Sequence, residues 1–201
     1  MARNIEFEQE SVLDAAMAIF WDKGYQGTSM QDLEKATTLK PGSIYNSFKS
    51  KKGLFLAVIQ HYREKMVGFR IQTILNQGDP LQGIEDFFRT TYVGFEPEQL
   101  IGCMLTNTAT ELNNSDKDIQ EHVAGGIEMI ESAFLVRLSE AQALGHISPE
   151  VNLEQMALHL TSCYQGLCVV GRLTRDSKRL KVIADQALAS LKKDGQNEMA
   201  Q

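Results

Sequence analysis

The sequence predicts an all-α fold, with a small N-terminal helical domain followed by a larger helical one. Three observations predict it. Apolar residues recur three and four apart along almost the whole chain, the spacing that gathers them on one face of an α-helix. No series of segments alternates apolar and polar residues as half-buried strands do. The four prolines, Pro41, Pro80, Pro97 and Pro149, are widely separated, so long helices can run between them.

Taken in order, Val12, Ala16, Ile19 and Phe20 share one face of a first helix, about 8–23, with Gly24 placed to end it. Thr28 stands three residues before Gln31, the spacing of a capping box, and opens a second helix over 29–36 with Met30 and Leu33 inward. A tight Thr37-Thr38-Leu39 link follows. Pro41 suits the first position of a third helix, whose inward face is Ile44 and Phe48. Ser50 caps a fourth, starting at Lys51 and running to about Gln77, where Gly78-Asp79-Pro80 stops it. Further helices are expected at 81–95, 102–113, 117–144, 153–174 and 177–193. The clearest stripe is Ile119, Val123, Ile127, Ile130, Phe134, Leu138, and Gly125-Gly126 within it either kink the helix or admit a close neighbour. This divides the chain into a reading head at 1–55, a second domain at 56–193 and a disordered tail at 194–201.

Composition narrows the class. At 201 residues, 43% hydrophobic and 23% charged, the chain is an ordinary globular protein with ample material for a core. No apolar run approaches the ~20 residues of a spanning helix, and the acidic start MARNIEFEQESVLDAA lacks the apolar centre of a secretory signal. Three cysteines, Cys103, Cys163 and Cys168, cannot all pair within one chain; together these features imply reduced thiols in a cytoplasmic protein.

The net charge of −6 argues at first against nucleic acid, but its distribution argues for it. Residues 1–55 hold seven bases and seven acids, so the rest of the chain carries the whole excess of acid. Between 35 and 52 stand Lys35, Lys40, Lys49, Lys51 and Lys52 with no acid among them. Such a patch is either a solvated basic face or a binding surface for an anion. Two features favour the second. The third helix exposes only short or polar residues, Gly42, Ser43, Asn46 and Ser47, which lets a helix lie deep in a DNA major groove where an asparagine can pair with adenine. Lys51 and Lys52 occupy the first turn of the fourth helix, where lysines are unfavourable by ~0.3–1 kcal/mol each unless an outside anion such as a phosphate sits there.

These residues carry a resemblance. The segment FWDKGYQGTSMQDLEKATTLKPGSIYNSFKSKKGLFLAVI, within a match over about 8–60, resembles the DNA-binding domain of tetracycline-repressor (TetR/AcrR-type) transcription regulators. The resemblance implies that Thr28, Tyr45 and Lys51 contact phosphates; Lys49 and Lys52 join the DNA-binding set from the lysine cluster at the start of the fourth helix. It implies that Lys40, Gly42, Ser43 and Asn46 approach bases. Two positions depart from the family pattern: Thr38 stands where the turn usually carries glycine, and Ser47 where many relatives have histidine. GCMLTNTATEL (102–112), with YQGLCVVGR (164–172), is similar to a subgroup marked by a G-C-L-L-x-N motif.

In that family the C-terminal helices bind a small effector and form a dimer. Cys103, Asn107 and Thr110 fall about one helical turn apart, and Phe88, Tyr92, Phe134, Tyr164 and Cys168 lie on neighbouring apolar faces. Such residues either line a ligand cavity or fill the core. Two stripes on the last helices are the expected subunit interface: Met156, Leu160, Leu167 and Val170 on one, Leu180, Ile183, Ala184, Ala187 and Leu191 on the other. An isologous dimer presents two identical heads, which suits a palindromic operator in double-stranded DNA.

Other chemistry is sparse. His159 and Cys163 are four apart on one helix, yet no third ligand stands at a recognisable spacing and there is no CxxC, so neither metal nor cofactor is expected. No P-loop, G-x-S-x-G or dinucleotide fingerprint is present. The reading is a ligand-responsive, DNA-binding transcription regulator, a repressor before an activator. The rivals are a small enzyme with Cys103 as nucleophile and an architectural DNA binder, the latter disfavoured by the acidic second domain. Cys103 itself is either an oxidant or electrophile sensor near a helix N-terminus or a small buried hydrophobe.

Overall fold

All regular structure found among the described residues (2–94, 96, 100–112 and 116–192) is helical in the computed structural model. The tail expected to be disordered, 194–201, lies outside them. In order come α1 (Ala2–Gly27), α2 (Met30–Thr37), α3 (Pro41–Phe48) and α4 (Lys51–Tyr62), the last continued by π-helical turns at Arg63–Gly68 and Ile71–Leu75. Then follow α5 (Pro80–Arg89), α6 (Met104–Glu111), α7 (Lys117–Ala143), α8 (Leu153–Thr174) and α9 (Ser177–Lys192). None of these helices is long and apolar enough to cross a membrane.

The chain forms two compact units: Met1–Met66 with Met104–Gly125, and Val67–Cys103 with Gly126–Gln201. The first therefore takes in α6 and the start of α7 beside the head helices. Its core is Ala16 and Phe20 of α1, Leu33, Ile44, then Leu54, Phe55, Val58 and Ile59 of α4, closed by Met104 and Leu105 of α6. Each large apolar side chain buried this way contributes roughly 1.5–3 kcal/mol. Trp21 meets Tyr62 edge-on at 5.0 Å. The helical path of α1 breaks at Gly24 (φ 76°, ψ 175°), where the sequence places the stop. At Gly125 the guanidinium of Arg63 comes to 3.4 Å from where a Cβ would stand, and α7 runs on through the glycine pair.

The second unit is built on an aromatic cluster. Phe87 lies 5.5 Å from Phe134 and 5.1 Å from Tyr164, and Phe88 stacks on Phe134 at 5.9 Å. Two arginines close helix ends here. Arg70 donates to Phe87 O (2.7 Å) and lies 4.8 Å over the Phe87 ring, while Arg137 donates to Gly78 O (2.9 Å). Asp79 caps α5, accepting from Leu81 N and Gln82 N.

The stripes expected to join two subunits are largely used within the single chain. Leu160, Leu167, Leu180, Ala187 and Leu191 are all buried inside the single chain, and Met156 and Ile183 are half-buried. A helix seated on its own core must turn its strongest apolar face inward, and here that face is the seam between α8 and α9. What α8 leaves outside is a second, weaker row: Leu158 (56% exposed), Ser162, Gly166 and Leu173 (77%), with Val169 half-buried between them, accompanied on α9 by Val182 (62%).

Candidate nucleic-acid interface

The presentation of α3 depends on its two ends and one anchor. Ile44 is its single fully buried side chain, held at 0% exposure, while Pro41, Gly42, Ser43, Tyr45, Asn46 and Ser47 are all exposed. Pro41 at the first position needs no N–H partner, and Lys40 at the N-cap is exposed. Nothing stands within 4 Å of where Gly42 would carry a Cβ. Gly53 holds the next helix in place: a Cβ there would lie 1.9 Å from Phe48 O, so α3 and α4 meet only because it has none. Lys49, at φ 67°, ends α3 and turns its ammonium back to Asn46 O at 2.9 Å.

The link from α2 carries backbone strain. Thr38 has φ 58° and ψ 8°, left-handed geometry in a β-branched residue. Thr37 steadies the link from inside, its hydroxyl donating to Leu33 O at 2.7 Å and accepting from Leu39 N.

At the start of α2 the cap differs from expectation by one residue. Ser29 Oγ accepts from Asp32 N, and Asp32 Oδ2 accepts from Ser29 N at 2.9 Å. Lys23 bonds Asp32 at 2.6 Å and, with Ser29, holds that carboxyl well below the usual carboxylate range. Thr28 is 1% exposed and gives its hydroxyl to Gly24 O at 2.6 Å, so its side chain is closed to a phosphate.

The sequence gives no warning of the acids brought to this surface. Lys52 is held by Asp116 at 2.8 Å and Asp118 at 2.5 Å, and these bonds push its pKa up. The first-turn lysine that looked uncompensated thus has two carboxylates from the chain itself. Lys51 lies over the Tyr25 ring, 4.5 Å from its centroid; burial lowers its pKa and Glu111 opposes that. Glu111 has a further task. Its carboxylate accepts from the backbone N–H groups of Tyr25 (2.9 Å) and Gln26 (2.6 Å), tying α6 to the last turn of α1, just past its break at Gly24. A Cβ on Gly24 would fall 2.5 Å from Glu111 Oε2, so glycine is required there by both its φ and the carboxylate.

The expected effector residues divide between the units. Phe88, Tyr92, Cys103, Phe134, Tyr164 and Cys168 are buried in the second. The Cys168 thiol bonds the Tyr164 side chain and the Cys103 backbone, and burial pushes both Tyr164 and Cys168 up. Asn107 and Thr110 belong to the first unit. Thr110 is exposed and donates to Thr106 O and Asn107 O of its own helix.

Residues 12–58 match the profile of bacterial regulatory proteins of the tetR family, and 80–187 that of the tetracyclin repressor-like C-terminal domain. The chain belongs to the TetR family. This TetR-family protein is 29% identical to the HTH-type transcriptional repressor ComR of Escherichia coli K12, covering 90% of this chain and 88% of that one. It superposes on a TetR transcriptional regulator from Chloroflexus aurantiacus J-10-FL with a TM-score of 0.80 at 27% identity, over 95% and 96% of the two chains. The regulator CifR, as a cysteine mutant complexed with a 26-base-pair operator DNA, shares the fold with a TM-score of 0.81 at 24% identity, over 90% and 95%. Family membership makes the chain a DNA-binding transcription regulator and removes the enzyme built on Cys103.

Proposed function

We propose that this regulator is a cytoplasmic homodimeric repressor that binds a palindromic operator and leaves it when a small effector enters the second unit. The observation that carries the DNA reading is α3, anchored by the buried Ile44 with its polar side chains exposed. Lys40, Gly42, Ser43 and Asn46 read bases; Tyr45, Lys49 and Lys51 hold phosphates, with the first N–H groups of α4 beside them. Thr28 and Lys52 leave the contact set, since the Thr28 hydroxyl is buried on Gly24 O and the Lys52 charge is met by two carboxylates. Repression follows ComR, a repressor by name. The motif from Gly102 to Asn107 supports placement in the G-C-L/M-L-x-N subgroup.

The dimer uses the outer row of α8 and α9: Leu158, Gly166, Leu173 and Val182. Their exposure supports this, because large apolar side chains left together on a helix pair favour association. The effector is received among Phe88, Phe134 and Tyr164, with Tyr92, Cys103 and Cys168 around them. It acts by favouring a conformation whose heads no longer fit both half-sites.

Selection of bound sequences from random DNA tests the reading. Wild type should yield a palindrome, and Asn46→Ala should lose preference at one position per half-site, costing about 1–3 kcal/mol. A selected motif without two-fold symmetry, or one unchanged by Asn46→Ala, refutes it.

A further inference from the structure

His159 and Cys163 stand one turn apart on α8, on the side that the chain's own core does not use. His159 is exposed and Cys163 half-buried. Their side chains have turned toward each other: Cys163 Sγ lies 3.6 Å from His159 Nε2 and 4.0 Å from Nδ1. The shorter distance is that of a thiol–imidazole hydrogen bond, and it also fits two ligands of one metal ion. A tetrahedral zinc ion holds sulfur at about 2.3 Å and imidazole nitrogen at about 2.0–2.1 Å, and an angle near 109° then separates the two ligand atoms by about 3.5–3.6 Å. The pair already has the bite of such an ion. Spacing of i and i+4 on one helix face is also the arrangement by which H-E-x-x-H helices grip zinc.

One chain supplies only half of a site. No group of three or more His, Cys, Asp or Glu side chains suited to a metal occurs among the described residues. The pair flanks the outer row formed by Leu158, Gly166, Val169 and Leu173, and an isologous interface sets any patch near its axis against its own copy. We propose that His159 and Cys163, with the same pair from a second copy, form an N2S2 site for a borderline-soft divalent cation of the zinc class, shared across the subunit interface. This inference rests on the α8/α9 dimer proposed above. On binding, each thiol gives its proton to solvent and its sulfur to the metal, so metal links the two copies and releases protons.

Tag-free protein titrated with Co2+ tests it. Tetrahedral thiolate coordination gives a sulfur-to-cobalt charge-transfer band in the near ultraviolet and visible d–d bands. These should saturate at one Co2+ per two chains and be bleached by Zn2+. His159→Ala and Cys163→Ser should each lose the charge-transfer band while keeping wild-type circular dichroism and the sedimentation of a dimer. No charge-transfer band in the wild type, a band that persists in Cys163→Ser, or saturation at one Co2+ per chain overturns the shared site. Sedimentation separates the two readings: a dimer with no charge-transfer band removes the metal site alone, whereas a monomer removes the dimer and the site with it.

Discussion

Replacing Asp116 and Asp118 with asparagine should tighten operator binding. In the DNA-free fold the ammonium of Lys52 is claimed by both carboxylates, at 2.8 and 2.5 Å. The three groups together carry one net negative charge. Asparagine at both positions leaves Lys52 as an uncompensated cation in the first turn of α4, free to meet a backbone phosphate. Each added phosphate contact steepens the dependence of log K on log salt by about 0.9, so two heads give about 1.8 per dimer. Referred to 1 M salt, that slope is worth about 1.5 log units at 0.15 M, or roughly 30-fold in affinity. Fluorescence anisotropy with a labelled operator duplex, repeated across a series of salt concentrations, reads both quantities. Lys52→Ala is the matched control, and its slope should stay near that of wild type, because the wild-type lysine is occupied. If the double asparagine variant keeps the wild-type slope while Lys52→Ala flattens it, Lys52 already serves DNA and the acids are bystanders.

Two further predictions concern strain and thiols. Thr38→Gly should stabilise the protein by about 0.5–1 kcal/mol, the relief of left-handed geometry less the added freedom of the unfolded chain. Thr38 is exposed and loses no buried contact, so thermal denaturation should show a rise of about 1–4 °C; a fall would refute the strain. N-ethylmaleimide applied to metal-free protein under native conditions should label Cys163, half-buried in the single chain, before Cys103 and Cys168, which are 4% and 2% exposed. Peptide mass spectrometry showing Cys103 modified first would restore the sensing thiol that its burial argues against.

Helix positions were legible because periodicity and end signals agreed along the chain, as at Ser50, Gly78-Asp79-Pro80 and Gly24. The cap of α2 shows how fine the remaining ambiguity is. Thr28–Gln31 and Ser29–Asp32 have the same spacing, and the choice falls to the second because Thr28 gives its hydroxyl to Gly24 O and Asp32 has Lys23 beside it. The inward stripes of α8 and α9 were legible as stripes, but periodicity does not say whether a helix meets its own chain or a copy. The proposed interface rests instead on the second row, Leu158 to Leu173, which a helix with one task would not need. Long-range ion pairs were not legible at all. Nothing near Lys52 in sequence points to Asp116 or Asp118, since only folding brings them together.

The carboxylate of Glu111 has a consequence for how such regulators can be recombined. The break in α1 at Gly24, before α2 begins, is held by an acceptor 86 residues downstream of Tyr25, on α6. The head is therefore not a detachable cassette. A chimera that grafts residues 1–66 onto another regulator leaves behind the acceptor for Tyr25 and Gln26 and the counter-charges of Lys52. Exchange of DNA specificity between relatives should follow the discontinuous boundary, with 104–125 transferred alongside 1–66. By the same logic, substitutions at position 111 and at positions 24–26 belong to one evolutionary unit despite their distance along the gene.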